Sequence, residues 1–221
     1  MTVTELAWFT AAHGPAGDDA KKAMNQALVV LDDWCARNTS TLPKDREARG
    51  VGLFRQIEDP SVTLLTAHWE SVSQHGLWLA STENKTVYPA LKEHFTLEKT
   101  VVSHLENAEF FDASGPNGDI SLLKSPIVSL SAVTVPAEKR KAFEQAWTEN
   151  KHLLEGYTPL IKSGWRIEKE DENLEQFILS CSWPSVEKHI EFAGGKDFPQ
   201  FSAALLSLAQ GTDLKHYERI L

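Results

Sequence analysis

Two histidines are candidates for acid–base chemistry, because a glutamate follows each of them two residues later. His104 precedes Glu106, and His216 precedes Glu218. Histidine changes charge near neutral pH and therefore suits a general base. We predict His104 as a catalytic base that a carboxylate orients, although residues two apart on a strand lie about 6.6 Å apart along it. The alternative is a structural histidine, present in both places and bonded to backbone or water.

Two other histidines have no histidine counterpart elsewhere in the chain. His68 corresponds to Ser182 in the repeat described below, and His13 follows the first predicted strand. A histidine that only one repeat contains is a candidate for a pocket that only that repeat has kept. We therefore predict His68 as a second catalytic candidate and His13, with His216, as ligand contacts. The alternative is that they are ordinary residues at exposed strand ends.

His75 and His189 lie on the apolar stripes of two predicted helices. A histidine on an apolar helix face most often packs against the core. The sequence therefore favours a packing role for both.

Trp78 and Tyr88 are the polar aromatics of a predicted helix in the first part of the chain, and Phe192 and Phe201 replace them in the second. Core packing is the default for such side chains. Their indole N–H and phenol O–H nevertheless offer hydrogen bonds, so we predict that Trp78 and Tyr88 contact an oxygenated aromatic ligand.

Composition excludes several classes of function. The 221 residues carry 22 basic and 31 acidic side chains, a formal net charge of −9, without a basic cluster. Such a surface repels phosphate backbones and anionic lipid, so neither nucleic acid nor membrane is an expected partner. The first residues lack the features of a signal peptide, and two cysteines make no disulfide framework, which predicts a cytoplasmic protein. No metal-ligand spacing or nucleotide motif is present, so we expect no metal and no cofactor.

An internal repeat organises the chain. Trp69-Glu-Ser-Val-Ser-Gln-His75 is echoed by Trp183-Pro-Ser-Val-Glu-Lys-His189, a shift of 114 residues (183 minus 69). Phe54-Arg55 upstream is matched with Trp165-Arg166, and His104-Leu-Glu106 downstream with His216-Tyr-Glu218. Three matches in one order indicate a tandem duplication.

Both repeats have the order of predicted elements βαββαβ, which is that of a ferredoxin-like unit. In the first, a helix begins at Asp18, and a second begins at Ser71 and breaks near residues 81–84. In the second, a helix begins at Pro136 and another is interrupted at Gly194-Gly195. The predicted strands are 5–12, 51–58, 62–69 and 101–110, then 127–135, 164–169, 176–183 and 214–221.

The predicted boundaries are a first repeat over 1–111, a linker rich in Gly, Pro, Asn and Ser over 112–125, and a second repeat over 126–221. A four-stranded sheet with helices on one face leaves its other face bare. Strands that are apolar on both sides, such as 62–69, require cover on both faces. We therefore predict an α+β fold in which the two sheets pack against each other and close an intramolecular α/β barrel, a pseudo-dimer. A homodimer of the whole chain is also possible.

On these residues the sequence resembles the dimeric α/β-barrel superfamily, which includes antibiotic-biosynthesis monooxygenases, polyketide cyclases, stress-responsive barrel proteins and heme-degrading monooxygenases. The βαββαβ order and the Trp-x-Ser-Val…His segment carry the resemblance, which spans nearly the whole chain twice. The tandem form resembles fungal members associated with secondary metabolism. The resemblance implies a pocket between each sheet and its own two helices.

The family's catalytic residues are only partly present. The histidine positions of the cyclases are occupied here by Glu5, Thr63 and Asn84. Of the heme degraders' pattern, the tryptophan is present as Trp78, but Tyr88 stands in the histidine position. The leading hypothesis is a cofactor-independent cyclase, lyase or monooxygenase that acts on a small phenolic or polyketide-like molecule. The alternatives are a non-catalytic ligand-binding or stress-response barrel and, third, a heme-binding protein.

Overall fold

A computed structural model describes residues 2–106, 108–113 and 121–221. Within these ranges the chain forms eight strands and seven α-helices, with short 3-10 helices at Leu97–Lys99, Leu122–Lys124 and Ala137–Lys139. The strands are β1 (Val3–Thr10), β2 (Gly52–Gln56), β3 (Val62–Trp69), β4 (Val101–Leu105), β5 (Ile127–Pro136), β6 (Ile161–Trp165), β7 (Leu174–Trp183) and β8 (Gly211–Arg219). The helices are α1 (Asp18–Asn38), α2 (Val72–Ala80), α3 (Thr82–Lys92), α4 (Arg140–Asn150), α5 (His152–Glu155), α6 (Val186–Ala193) and α7 (Phe198–Leu206).

All eight strands belong to one antiparallel sheet in the order β4-β1-β3-β2-β8-β5-β7-β6. The two halves meet where β2 pairs with β8. They meet again where the outer strands β4 and β6 are joined by a bridge between Leu105 and Arg166. We call these two contacts the seams. They close the sheet almost completely into a barrel, which confirms the predicted α/β barrel formed by two ferredoxin-like halves.

The buried apolar side chains of the described residues form three cores. The barrel interior is built from both halves, with Leu6, Leu64 and Phe54 of the first packed in one cluster with Leu130 and Ile178 of the second. A second core lies between the strands of the first half and α1–α3, and a third between the strands of the second half and α4–α7. Each fully buried large apolar side chain contributes about 1.5–3 kcal/mol. The interior cluster therefore opposes separation of the halves.

The helices follow the predicted patterns. In α1 the buried side chains recur at helical spacing, among them Met24, Leu28 and Leu31. Ser81 separates α2 from α3, and its hydroxyl oxygen accepts a hydrogen bond from the backbone N–H of Asn84 at 3.0 Å. The break in the second helix is therefore confirmed. In the second half α6 ends before Gly194, which confirms the predicted interruption there.

The strand predicted over 62–69 has the observed limits, whereas the other seven differ at one end or both, and two of them differ most. The strand predicted over 101–110 ends at Leu105, because the chain then turns so that Phe110 and Phe111 enter the barrel interior. The strand predicted over 164–169 is β6, Ile161–Trp165.

The match of Phe54 with Trp165 is wrong by one residue. Phe54 pairs with Leu64, whose equivalent after the shift of 114 is Ile178, and Ile178 pairs with Gly164. A slip of one residue turns a strand side chain to the other face of the sheet. Phe54 accordingly lies in the barrel interior, whereas Trp165 packs beneath the helices of the second half.

Within the predicted linker, residues 114–120 lie outside the described ranges. Leu122 and Leu123, also assigned to the linker, are buried in the barrel interior. Among the described residues, no helix has the length and apolar character needed to cross a bilayer.

Candidate functional site

A cavity of about 360 Å³ lies in the first half, between the sheet and its own helices. This is the location that the resemblance implied. Its volume is within the range of about 300–1,000 Å³ that is usual for small-molecule sites. Most of its wall is apolar and comes from β1, β3 and α1–α3. The apolar lining includes Ala7, Phe9, Met24, Ala27, Leu28, Leu31, Leu65, Trp78, Val87, Leu91 and Val102.

One part of the cavity wall carries a carboxylate and an imidazole. Glu5 and His75 both line the cavity, and they are only 5% and 2% exposed. Glu5 Oε1 lies 3.6 Å from His75 Nε2, and its Oε2 accepts a hydrogen bond from Trp69 Nε1 at 2.6 Å. The ring of His75 stacks on Trp69 with 4.4 Å between centroids. Two titratable groups are therefore held in fixed positions in a largely apolar wall.

Local sequence positions this pair. The repeated Trp-x-Ser-Val segment ends β3 and begins α2, where Ser71 Oγ accepts from the backbone N–H of Gln74. The cap sets the first turn of α2, so that His75 turns towards the sheet and meets Trp69 and Glu5. Glu5 shares the helix-facing side of β1 with Ala7, because successive strand side chains alternate between faces.

Behind His75, two more groups extend the network to the seam between β4 and β6. His75 Nδ1 lies 2.8 Å from His104 Nε2, and His104 Nδ1 lies 2.5 Å from Glu168 Oε1. The backbone N–H of His104 also donates to Glu168 Oε2 at 2.8 Å. Glu168 belongs to the second half, so the first half's site is completed by the other repeat. Its side chain is 34% exposed and forms the solvent end of the network.

The electrostatics of the network follow from its burial. Burial lowers the pKa of His75, although the neighbouring Glu5 opposes this shift. His75 is therefore a neutral imidazole at pH 7. Burial alone would raise the pKa of Glu168, but the hydrogen bonds that it accepts from the side chain and backbone of His104 hold that pKa below its usual range. Glu168 is consequently a carboxylate, and His104 donates to it from Nδ1.

A second polar pair lies on α3. Asn84 is buried, and its Nδ2 donates to Tyr88 Oη at 3.2 Å and to the carbonyl oxygen of Leu79 at 3.2 Å. Both Asn84 and Tyr88 line the cavity, and Tyr88 is 38% exposed, which puts its phenol at the cavity mouth. Trp78 also lines the cavity and packs against Trp34. The predicted ligand contacts Trp78 and Tyr88 thus lie on one cavity.

The second half repeats the outer part of this network without the carboxylate on the cavity side. His189 Nδ1 lies 2.8 Å from His216 Nε2, and His216 Nδ1 lies 2.6 Å from Glu58 Oε1 of the first half. Ser129 stands in the position of Glu5, and its Oγ accepts from Trp183 Nε1 at 2.8 Å.

Large aromatic side chains pack under the second half's helices. The equivalents of Trp78 and Tyr88, Phe192 and Phe201, lie in one cluster with further large rings. The aromatic members of this cluster are Phe143, Trp147, Trp165, Phe177, Trp183, Phe192 and Phe201.

Not every predicted site residue lies at the cavity. His104 is one group removed from it, behind His75, and His216 occupies the equivalent position in the second half. His68 points to the barrel interior, because it shares a face of β3 with Leu64 and not with Trp69. His13 is exposed at a separate surface pocket beside His94.

His68 has the contacts of a structural histidine. Its Nε2 accepts from the backbone N–H of Phe111 at 3.3 Å, and burial lowers its pKa. A Cβ on Gly50, which has a φ of +66°, would lie 2.5 Å from the His68 ring. Gly50 therefore packs closely against the His68 ring, which lies on the barrel-interior side of β3.

The carboxylate partners of the strand histidines differ from those expected. Glu106 pairs with Arg140, and Glu218 with Arg55, because side chains two apart on a strand point the same way without reaching each other. The observed partners, Glu168 and Glu58, both follow an isoleucine in corresponding places, Ile167-Glu168 and Ile57-Glu58. This shared pair was the available sequence signal. The packing role favoured for His75 and His189 also omitted their hydrogen bonds.

In the part of the chain that the structure describes, no group of three or more His, Cys, Asp or Glu residues is arranged to hold a metal ion.

Comparison with known proteins identifies the fold. No protein-family model matches the chain, and no curated protein matches it. Among solved structures, an anthrone oxidase-like protein is similar at 12% identity with a TM-score of 0.64, covering 100% of this chain and 92% of that one. A candidate monooxygenase from Lactobacillus acidophilus is similar at 14% identity and TM-score 0.59, covering 99% and 93%. A heme-binding protein from Thermus thermophilus is similar at 9% identity and TM-score 0.53, covering 100% and 92%. At such identities the likeness shows a shared fold, the ferredoxin-like barrel.

The histidine and the lysine of the cavity lining are engaged by other side chains and are therefore poorly placed to hold a heme. Heme iron needs a free axial donor such as an imidazole, and its two carboxylates need cationic partners. Within the described residues, the one imidazole on the lining is that of His75, whose Nδ1 bonds to His104 and whose Nε2 faces Glu5. The one cation on this lining, Lys92, lies 3.7 Å from Glu98.

Proposed function

We propose that the first half is a cofactor-independent enzyme that removes a proton from a small, largely apolar molecule bearing a phenol or an acidic C–H group. One observation carries this proposal: a buried carboxylate and a neutral imidazole, Glu5 and His75, lie side by side on the wall of an apolar cavity. Proton abstraction is the first step shared by the cyclase, lyase and monooxygenase reactions that the sequence suggested.

The pair has room for one additional proton. His104 accepts from His75 Nδ1–H, because the Nδ1–H of His104 is itself donated to Glu168. His75 therefore presents an unprotonated Nε2 towards Glu5 Oε1. A proton taken from the ligand comes to lie between these two atoms, and its electron pair stays on the ligand as an enolate or phenolate. A positioned base of this kind contributes about 10²–10⁴-fold to a rate.

The cavity's chemistry supports an oxygenated aromatic ligand. Its apolar lining favours rings, and the Asn84–Tyr88 pair supplies an amide and a phenol that can orient an oxygen at the mouth. The enolate would then close a ring, lose a fragment or react with dioxygen. In the last case one oxygen atom enters the ligand as a carbonyl, and the other leaves as water with both hydrogens of the original methylene group.

The first test follows proton exchange, which requires no knowledge of the natural product. Anthrone is a suitable probe, because it is a compact aromatic ketone with an acidic methylene group and because one structural neighbour is anthrone oxidase-like. In oxygen-free D₂O, we expect the protein to accelerate loss of the methylene ¹H signal at least about 10²-fold over buffer.

A matched pair of variants identifies the base. Glu5→Gln should abolish most of this acceleration, whereas Ser129→Ala, at the equivalent position of the second half, should retain it. Exchange in Glu5→Gln at the wild-type rate contradicts the assignment of Glu5. Quenching of tryptophan fluorescence by anthrone without any acceleration supports the alternative, a ligand-binding barrel. Stoichiometric heme with a Soret band supports the third.

A further inference from the structure

Four side chains form a continuous series from the cavity to the molecular surface. Starting at the cavity, Glu5 lies 3.6 Å from His75, His75 lies 2.8 Å from His104, and His104 lies 2.5 Å from Glu168. The first three are at most 5% exposed, whereas Glu168 is 34% exposed. The series also crosses the seam, since Glu168 is on the other half.

We propose that Glu168 is a positioning residue for the first half's site and that the series Glu5–His75–His104–Glu168 is a proton relay from the cavity to solvent. This inference rests on the proposed function, for which the relay returns the cavity base to its starting state. We refer to these four residues as the relay.

The direction of transfer follows from the hydrogen bonds. In the resting state Glu168 accepts Nδ1–H of His104, which leaves His104 Nε2 free to accept Nδ1–H of His75. A proton that Glu5 passes to His75 Nε2 displaces the proton on Nδ1 towards His104 Nε2. His104 then becomes an imidazolium beside the Glu168 carboxylate and releases its Nδ1 proton to Glu168 and water. Each ring gains one proton and loses one, so no charge accumulates at the cavity, and both rings end with hydrogen on Nε2. Transfer in the reverse direction, from water through Glu168 and the two rings to Glu5, restores the resting tautomers and supplies the proton that the ligand anion takes up.

The Glu168 carboxylate stabilises the positive charge on His104 and orients the His104 ring. Its carboxylate contacts His104 directly and accepts from both the side chain and the backbone N–H of that residue. The backbone bond fixes the carboxylate, and the carboxylate fixes which nitrogen of His104 carries hydrogen. The other charged group facing the rings is Glu5, and the more distant lining charges are Lys92 and Glu98. The link from Glu5 to His75 is roughly 0.5 Å longer than a hydrogen bond, so it closes when Glu5 shifts towards the ring.

The second half provides a matched comparison. Glu58, His216 and His189 reproduce the outer three members, at 2.6 and 2.8 Å, but Ser129 replaces the cavity carboxylate. If the carboxylate only held the seam together, Glu58 and Glu168 would have the same role. If Glu168 also serves the relay, the two differ in what they do to the cavity.

Histidine NMR on the full chain tests the relay without a substrate. In ¹⁵N-histidine protein, with His75 and His104 assigned from single variants, we expect His104 to carry hydrogen on Nδ1. Glu168→Gln removes a charge that raises the pKa of His75, so it should lower that pKa and shift the ring nitrogen that carries the proton in His75. Glu58→Gln should alter His189 and His216 only. Unchanged His75 signals in Glu168→Gln overturn the relay, because a seam contact alone leaves that ring unaffected.

Anthrone exchange separates the relay from the proposed function. With multiple turnovers, Glu168→Gln should lower kcat at least 10-fold with little change in KM, Glu168→Asp should restore part of it, and Glu58→Gln should retain wild-type turnover. Turnover that is unaffected in Glu168→Gln overturns the relay and leaves the function standing. If no form of the protein exchanges anthrone, the proposed substrate class fails, and the NMR result alone decides whether the rings are coupled to Glu168.

Discussion

His216 Nδ1 donates to Glu58 Oε1 at 2.6 Å, although the two residues are 158 positions apart in the chain. The same bond joins His104 and Glu168 at the opposite seam. Each half thus provides the carboxylate for the other half's strand histidine. The first half, however, adds Glu5 on the cavity side where the second has Ser129, so the same histidine–glutamate bond serves unequal sites.

The cavity predicts opposite results for one substitution made in the two halves. Ala7 lines the cavity on β1, and its equivalent on β5 is Ser131. Ala7→Leu should occupy the cavity and weaken anthrone binding at least about 10-fold, measured by fluorescence titration, with a melting temperature that is unchanged or higher. Ser131→Leu should retain binding, because Ser131 lies in the other half, away from this cavity. Equal loss of binding in both variants contradicts a single working cavity.

The phenol of Tyr88 should orient an oxygenated ligand. Tyr88→Phe removes a hydroxyl that accepts from Asn84 at the cavity mouth. We expect it to weaken binding of a phenolic ligand by about 1 kcal/mol, or roughly fivefold, because one hydrogen bond is lost. The affinity for the same ligand without its hydroxyl should stay the same. Tyr157→Phe, which removes a hydroxyl bonded to Asp197 in the second half, is the control. Equal affinities of wild type and Tyr88→Phe for the phenol exclude this role.

His189, in the second half, should make the folded protein less stable in acid. Burial, followed by the neighbouring His216, lowers the pKa of His189 to about 4. The unfolded chain therefore takes up a proton below pH 6.5 that the folded chain accepts only near pH 4. Stability should be full above pH 6.5 and fall by roughly 1–3 kcal/mol on going down to pH 4.

His189→Phe isolates this contribution, since it keeps a ring over Trp183 and does not titrate. Urea unfolding at several pH values should give a smaller decrease for this variant than for the wild type. His68 and His75 act in the same direction and remain in both proteins, so the difference reports His189. Identical pH slopes in the two proteins would refute the assignment.

Neither half should fold as a monomer. Leu6, Phe54 and Leu64 are fully buried, in an interior cluster to which both halves contribute. Residues 1–113 alone should aggregate or self-associate, as judged by size-exclusion chromatography with light scattering. Co-expression with residues 121–221 should give a soluble 1:1 complex, because both seams can then form. A cooperatively folding monomer of 1–113 contradicts this expectation.

The fold was accessible from the sequence because its signals are local and occur twice. The Trp-x-Ser-Val…His segment specifies a strand end, a cap and a helix start. The break at Ser81 likewise depends on local sequence, because Ser81 ends α2 and caps α3. The strand limits were less accurate, since the chain beyond Leu105 is determined by packing of Phe110 and Phe111 across the barrel. Hydrophobic pattern does not distinguish a buried strand from a buried loop.

The site was only partly accessible. The polar atoms of Trp78 and Tyr88, which their counterparts lack, predict ligand contacts, and both side chains line the cavity. Glu168 was not found, because it reaches His104 through the closure of the barrel, 64 positions away. His75 was assigned to packing for a related reason: a helix pattern shows which face is buried, and not which strand residue that face meets.

The tandem arrangement changes what mutation can do to this molecule. In an assembly of two identical chains, a substitution at one position appears in both sites at once. Here Glu5 and Ser129 are encoded separately, so a change in one leaves the other intact. Phe177 and Trp147 pack beneath the helices of the second half, whereas the first half keeps its cavity. A substitution of Glu58 or Glu168 is different, because each carboxylate belongs to one half and bonds to the strand histidine of the other.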